Sequence, residues 1–380
     1  MERTIFTKDH DLFRSSVRDF VATEIAPFHP EWASDGVVPL SIWKKAGAQG
    51  YLCMAAPEEY GGAGVSDFRY DAILGEELTR QNCTGPGFGV HGTIVAPYIL
   101  NYGTADQMRR WVPGMVTGDT ILAVGMTEST SGSDLGSLRT TAVDDGDAYI
   151  VNGHKAFVSN GTLADVMIVS CITNPEHKQW GLSLLAIELP ADGVTISRPL
   201  KKIGWHAQDT VEVFLDDVRV PKANLIGQPG QGLYLMGREL DQERMIIAVN
   251  AIAAARAALT WTVAYCKDRE AFGKPIGSLQ NSRFRLAEME TELTVGQVFI
   301  DRCIAEWSDH SLSAAEVAMA KWWATDLQQR VIDGCLQLHG GYGYLTEYPI
   351  AQAWIDMRWT PIGGGTNEIM KDLIGRTMGL

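Results

Sequence analysis

The sequence predicts an α+β fold in three parts: a helical domain over residues 1–118, a β domain over 119–231 and a second helical domain over 232–380. Three observations carry that reading. Apolar residues recur at helical spacing up to about Val116, short apolar or alternating runs replace them between residues 119 and 221, and helical periodicity returns after Gly227-Gln228-Pro229-Gly230-Gln231-Gly232. Helices on both sides of a β block imply two helical layers packed together with a β module inserted between them.

In the first part, Leu12, Val17, Phe20, Val21 and Ile25 form one stripe, and Ile73, Glu77 and Leu78 belong to another helical run. In the second, strands are expected over 120–126, 166–172, 182–189 and 211–215. Asp144-Asp145-Gly146-Asp147 and Asn152-Gly153 carry the residues of tight hairpin turns. The third part holds four helical segments too long for strands, over 233–269, 278–308, 313–339 and 365–378. No internal repeat or low-complexity tract interrupts the pattern.

Composition bounds the function. The 380 residues are 46% hydrophobic and 21% charged, enough for a large core. A formal charge of −14 disfavours contact with a phosphate backbone, which depends on clustered Lys and Arg, so no nucleic-acid partner is expected. The six cysteines, at 53, 83, 171, 266, 303 and 335, form no CxxC pair, which argues against a zinc site or a disulfide framework and for a reducing compartment. Met1-Glu2-Arg3-Thr4-Ile5-Phe6 lacks the apolar core of a secretory signal, and the apolar stretch 245–266 is interrupted by Asn250 and Arg256. These features predict a cytoplasmic protein with no membrane span.

Gly87-Phe88-Gly89-Val90-His91-Gly92 matches the GxGxxG pattern but follows a helix end and a turn, so it reads as a packed glycine loop and not a dinucleotide site. Glu243 is more informative. Helical spacing from Met236 through Leu240 to Ile247 places it on an apolar stripe, where a carboxylate must be paired, protonated or functional. The runs 337–344 and 363–368 expose backbone beside helices, as simple terminators or as amide cradles for a pyrophosphate or a developing oxyanion.

Motifs spread along nearly the whole chain resemble the acyl-CoA dehydrogenase family. They are Pro57-Glu58-Glu59-Tyr60-Gly61-Gly62 and Gly75-Glu76-Glu77-Leu78; Met126-Thr127-Glu128 with Gly132-Ser133-Asp134; Asn152-Gly153-His154-Lys155 with Ser159-Asn160-Gly161; the run from Phe214 to Pro221; Asp268-Arg269-Glu270-Ala271-Phe272-Gly273-Lys274; and the Gln337 to Gly341 and Gly365 to Glu368 runs. The resemblance implies a β-barrel-like or sandwich middle domain, a C-terminal four-helix bundle and bound FAD. It places Met126, Thr127, Ser133, Phe157 and Ser159 at the flavin, with Ser133 also near substrate. It assigns Arg269, Phe272, Gln280, Gln337 and Gly341 to the adenine and pyrophosphate of a neighbouring subunit's FAD, and it puts Thr366 and Glu368 near the cofactor. A homotetramer or homodimer is therefore expected.

The family's commonest catalytic glutamate precedes the Gly-Thr pair that is Gly365-Thr366 here, and this chain has Gly364 in its place. A subgroup that includes long-chain and isovaleryl enzymes carries the base on the earlier helix before an arginine, which matches Glu243-Arg244. The resemblance thus implies α,β-dehydrogenation of an acyl-CoA thioester to the trans-2-enoyl thioester, with Glu243 as base, the Gly364 amide on the thioester carbonyl, and electron-transfer flavoprotein as acceptor. Arg244 is expected to orient substrate or glutamate, or to form a structural ion pair. A flavin oxidase or monooxygenase, an acyl carrier protein substrate and a non-catalytic scaffold remain open. Glu128-Ser129-Thr130-Ser131 and Phe157 depart from the family's usual Pro-Gly turn and Trp.

Overall fold

A computed structural model describes residues 1–177 and 181–380. The first part contains α1 (Lys8–Phe20), α2 (His29–Asp35), α3 (Leu40–Ala48), α4 (Phe68–Arg80), α5 (Ala96–Tyr102) and α6 (Ala105–Thr117). A π-helical segment, Gly89–Val95, leads into α5. Gly87 to Gly92 therefore runs into helical turns without a preceding strand. Val17, Phe20, Val21 and Ile25 are buried together, whereas Leu12 is 71% exposed and must be removed from the expected stripe. Phe13, one residue on, packs in its place because it lies four residues before Val17. Glu76 and Glu77 are buried on α4 but paired: Arg3 and Arg14 donate to Glu76 at 2.7 and 2.6 Å, and Arg18 to Glu77 at 2.9 Å.

The middle part contains β1 (Leu122–Gly125), β2 (Thr141–Asp145), β3 (Ala148–Ser159), β4 (Val166–Ile172), β5 (Leu182–Glu188), β6 (Val194–Ile196), β7 (Thr210–Pro221) and β8 (Leu225–Ile226). They are ordered β6-β7-β3-β2-β4-β5-β8, with β1 parallel to β4. A single pairing, Thr141 with Ile172, joins β2 to β4, so the strands form two leaves closed over a shared core of Val151, Met167, Val169, Leu185, Val213 and Val218. The opposite faces of β4 and β5, including Ile168, Leu184 and Ala186, pack on Tyr98, Ile99 and Trp111 of the N-terminal helices. Burial on both faces explains why these strands are continuously apolar.

Asp144 to Asp147 does form the β2–β3 turn. Asn152-Gly153 does not form a turn: both lie within β3, at a register shift against β7. Asn152 exchanges hydrogen bonds with Asp217, donating at 2.9 Å and accepting its N–H at 2.9 Å. A Cβ at Gly153 would lie 2.3 Å from Thr140 Oγ1, so glycine here admits a close neighbour inside a bulge.

The last part contains α7 (Gly232–Asp268), a short hairpin of β9 (Glu270–Ala271) and β10 (Lys274–Pro275), then α8 (Gln280–Ser308), α9 (Ala314–His339), α10 (Pro349–Asp356) and α11 (Asn367–Thr377). The long helices α7, α8 and α9 pack mutually, α11 lies on α9, and α4 crosses α7, which joins the two helical blocks. By length and composition α7 is apolar enough to cross a membrane, but Met245, Val249, Ile252 and Leu259 are buried against Leu293, Ile300 and Leu327, as in a core helix.

Candidate active site

Glu243 lies on α7 beside Leu240 and Arg244 and faces a cleft of about 230 Å³ between the β domain and the C-terminal helices. Val90 and Ile94 of the π-helical segment, Gly364, Gly365 and Ile369 line it from the helical side. Protein surrounds the carboxyl on the remaining sides, and burial raises its pKa above the ordinary carboxylate value, against the attraction of Arg244 and Lys321. Asp241, the other carboxylate of this turn, points to Arg244 at 2.8 Å.

The glycine turn faces Glu243. Gly364 has φ +64°, and a Cβ there would lie 2.7 Å from Ile247 Cδ1 and 3.5 Å from Glu243 Oε1. The absent side chain at 364 lets Ile247 and the Glu243 carboxyl pack directly against the turn. A Cβ on Gly363 would fall 2.4 Å from the Trp359 ring. Arg244 Nε donates to the Gly364 carbonyl at 3.1 Å, and Lys321 Nζ to the Gly365 carbonyl at 2.7 Å. Among the described residues, the Gly364 and Gly365 N–H groups have no partner. Thr366 caps α11, its hydroxyl accepting the Ile369 N–H at 3.3 Å. Gly364→Ala is expected to lower stability by about 1–2 kcal/mol in chemical denaturation, the cost of a side chain in left-handed backbone. Gly364→Leu should in addition displace Glu243 and cut turnover more than tenfold, as measured by steady-state assay.

Met126, Thr127, Ser133, Phe157 and Ser159 form the β-domain wall of the same cleft. Phe157 stands at a register shift of β3 with φ 57°, and its ring is 67% exposed. A bulge thus turns an aromatic face into the opening at the cost of local strain. Beneath the wall, buried Lys155 donates to Glu128 at 2.8 Å and to Ser170 at 3.2 Å. Glu128 also accepts the Arg139 and Thr140 N–H groups at 2.7 and 3.0 Å and the Thr140 hydroxyl at 2.6 Å. Burial pushes the Glu128 pKa up, but the Lys155 and Thr140 bonds outweigh it and hold the carboxyl below its ordinary value. The Glu128-Ser129-Thr130-Ser131 departure is a tight turn closed by Glu128 N–H to the Ser131 carbonyl at 2.9 Å and the reverse bond at 3.1 Å.

Arg269, Gln337 and Gly341 meet elsewhere, in a cleft of about 470 Å³ with Tyr265, His339 and Tyr342 at the far end of α7. The Arg269 guanidinium sits 5.3 Å over the Tyr342 ring. At 1.5 Å per residue, α7 separates Arg269 from Glu243 by about 39 Å. Phe272 is 92% exposed on the β9–β10 hairpin and Gln280 opens α8; neither lines this cleft. Glu368 is exposed in the first turn of α11 and, like Thr366, does not line the Glu243 cleft.

Models of the N-terminal, middle and C-terminal domains of acyl-CoA dehydrogenase match residues 7–119, 123–218 and 230–379. The chain belongs to the acyl-CoA dehydrogenase family. It is 46% identical to the mitochondrial long-chain specific acyl-CoA dehydrogenase of Sus scrofa over 98% of this chain and 87% of that protein. An acyl-CoA dehydrogenase structure from Geobacillus kaustophilus superposes with a TM-score of 0.98 at 44% identity, covering 100% of both chains. A glutaryl-CoA dehydrogenase from Mycobacterium smegmatis in complex with FADH2 superposes at 0.91 with 28% identity, over 98% of this chain and 95% of that one. The acyl-CoA dehydrogenase fold and an oxidoreductase of this class are thereby established.

Residues that motif reading passed over also build the acyl-CoA dehydrogenase cleft. Val90 lies in the Gly87 to Gly92 run, read only for its glycines, Ile94 lies two residues beyond it, and Trp359 fills the space beside Gly363. Lys321 had a usable signal: it falls among Val317, Ala320, Ala324 and Leu327 on the buried stripe of α9, the same kind of position that singled out Glu243.

Proposed function

We propose that this chain catalyses FAD-dependent α,β-dehydrogenation of an acyl-CoA thioester, with Glu243 as the base and the Gly364 N–H as a donor to the thioester carbonyl. The observation that carries the reading is the juxtaposition across one cleft of a carboxyl with raised proton affinity and a turn with unpartnered amides. An α-hydrogen beside a thioester is weakly acidic, so its removal needs a placed base and stabilisation of charge growing on the carbonyl oxygen.

The β-domain wall fits a flavin: Phe157 offers an uncovered aromatic face, and Thr127, Ser133 and Ser159 supply hydroxyls beside it. When bound, FAD supplies the acceptor for the β-hydrogen and its bonding electrons. Glu243 takes the α-proton into its carboxylate, the Gly364 amide holds the carbonyl, and Leu240, Val90 and Ile94 exclude water from the acyl chain. Arg244 serves the turn by holding the Gly364 carbonyl, with its charge matched by Asp241. Arg269 lies about 39 Å along α7 from Glu243, and Gln337 and Gly341, at the end of α9, share its cleft, which supports their service to a neighbour's FAD in a homotetramer or homodimer.

The 46% identity to a long-chain specific enzyme favours long acyl chains, and electron-transfer flavoprotein is the acceptor that the family resemblance implies. Anaerobic flavin bleaching by an acyl-CoA series tests this: long chains should bleach fastest, reoxidation by oxygen should be slow, and preferential bleaching by short chains would refute the chain-length reading. The active form of Glu243 is ionised, so turnover should rise with pH through an acid limb lying above the ordinary carboxylate range. A pH profile of kcat without that limb would remove Glu243 from its role.

A further inference from the structure

Among the described residues two lysines, Lys155 and Lys321, are fully buried, and they are treated differently. Lys155 meets its carboxylate, Glu128, at 2.8 Å. Lys321, at 0% exposure on α9, meets two neutral acceptors instead: the Gly365 carbonyl at 2.7 Å and Asn367 Oδ1 at 3.1 Å. Asn367 Nδ2 donates to the Trp322 carbonyl at 3.4 Å, which leaves Oδ1 toward the lysine, and the Thr325 hydroxyl lies 2.9 Å from the Lys321 carbonyl and 3.1 Å from the same Oδ1. A buried charge with no carboxylate against it is costly unless something uses it.

Its position shows the use. The Gly363 N–H donates to the Trp359 carbonyl at 3.0 Å, upstream of the free Gly364 N–H. Downstream, Arg244 holds the Gly364 carbonyl and Lys321 the Gly365 carbonyl, so the turn is pinned on both sides of that amide. We propose that Lys321 is a positioning residue for the dehydrogenation: its ammonium, bonded to the Gly365 carbonyl, fixes the glycine turn that presents the Gly364 N–H beside Glu243. The charge it brings acts on the Glu243 carboxyl in the direction of ionisation. The proposal rests on the reading of Glu243 as base and Gly364 as donor.

The charged surroundings of Glu243 are compatible with this. From α7 come Arg244 and its partner Asp241, from α9 Lys321, on which the exposed Glu368 of α11 also acts, and from α5 the neutral Tyr98. The π-helical segment and the β-domain wall present Val90, Ile94, Thr127, Ser133 and Phe157, none of them charged. Burial, then Arg244, lowers the Lys321 pKa to about 8, partly offset by Glu243 and Glu368, which leaves it protonated at neutral pH.

Lys321→Met and Lys321→Gln, each flavin-loaded, test the idea. The Glu243 carboxyl is titrated by infrared difference spectroscopy against the same protein carrying Glu243→Gln, and kcat and KM are measured in parallel. Lys321→Met should raise the titration midpoint by about one pH unit and lower kcat about tenfold to hundredfold with KM little changed. Lys321→Gln, which keeps a donor without the charge, should recover part of kcat while its midpoint stays high. An unmoved midpoint with normal kcat per flavin, even alongside a lower melting temperature, overturns the proposal; so does loss of fold or flavin in both variants, which would make the lysine purely structural. Normal turnover in the Glu243→Gln protein would defeat the base assignment alone, and the infrared midpoint would still judge Lys321.

Discussion

Glu243→Gln is expected to give a folded, yellow protein whose turnover is lower by about two to four orders of magnitude. The amide fills the same volume beside Gly364 and Ile247 but cannot accept the α-proton. Stopped-flow flavin reduction is the direct measurement, and near-normal rates would end the assignment. Stability should move the other way. A carboxyl whose pKa is raised on folding binds its proton more tightly in the native state, so ionising it opposes folding once the pH exceeds the unfolded value of about 4.3. The glutamine protein should therefore melt above the parent near pH 8, and the gap should close as pH falls into the carboxylate range. The proposed base would thus lower stability in return for a raised proton affinity.

Breaking the Glu128–Lys155 pair should produce the largest loss of stability, and unequally from its two ends. Glu128→Leu leaves a fully buried ammonium with only Ser170 and the Met126 carbonyl, and strips the Arg139 and Thr140 amides and the Thr140 hydroxyl of their acceptor. A loss of about 3–5 kcal/mol is expected. Lys155→Met removes the cation and fills its volume, while Glu128 keeps three donors, so the loss should be smaller. Equal destabilisation in thermal melts would contradict this asymmetry. Because the pair lies under Met126 and Thr127, the leucine variant should also retain flavin poorly.

Much of the architecture was legible because periodicity reports burial directly. The run 166–172 coincides with β4, and 278–308 and 313–339 lie within two residues of α8 and α9. Where local chemistry served two purposes, the reading failed. Asn152-Gly153 has the residues of a hairpin turn but works as a bulge, because Asn152 pairs with Asp217 and Gly153 admits Thr140. Leu12 looked like core because a stripe defined by spacing alone does not say which of two adjacent apolar residues faces inward. At the candidate site, Glu243 was visible as an acid on an apolar stripe, and the cleft brings it to Gly364, Met126, Thr127, Ser133, Phe157 and Ser159. The group of Arg269, Gln337 and Gly341 was visible only through family motifs, since nothing local reveals that the far end of α7 and the end of α9 meet in a second cleft. Lys321 escaped because its partners are backbone carbonyls and a side-chain amide, which leave no mark at fixed sequence spacing.

The strands β4 and β5 have no water-facing side. Cut free as a fragment, the central module would bare Ile168, Leu182, Leu184 and Ala186 as a greasy strip and clump with its own copies. The β module and the helices that sheathe it therefore share one core, and neither buries its apolar face without the other.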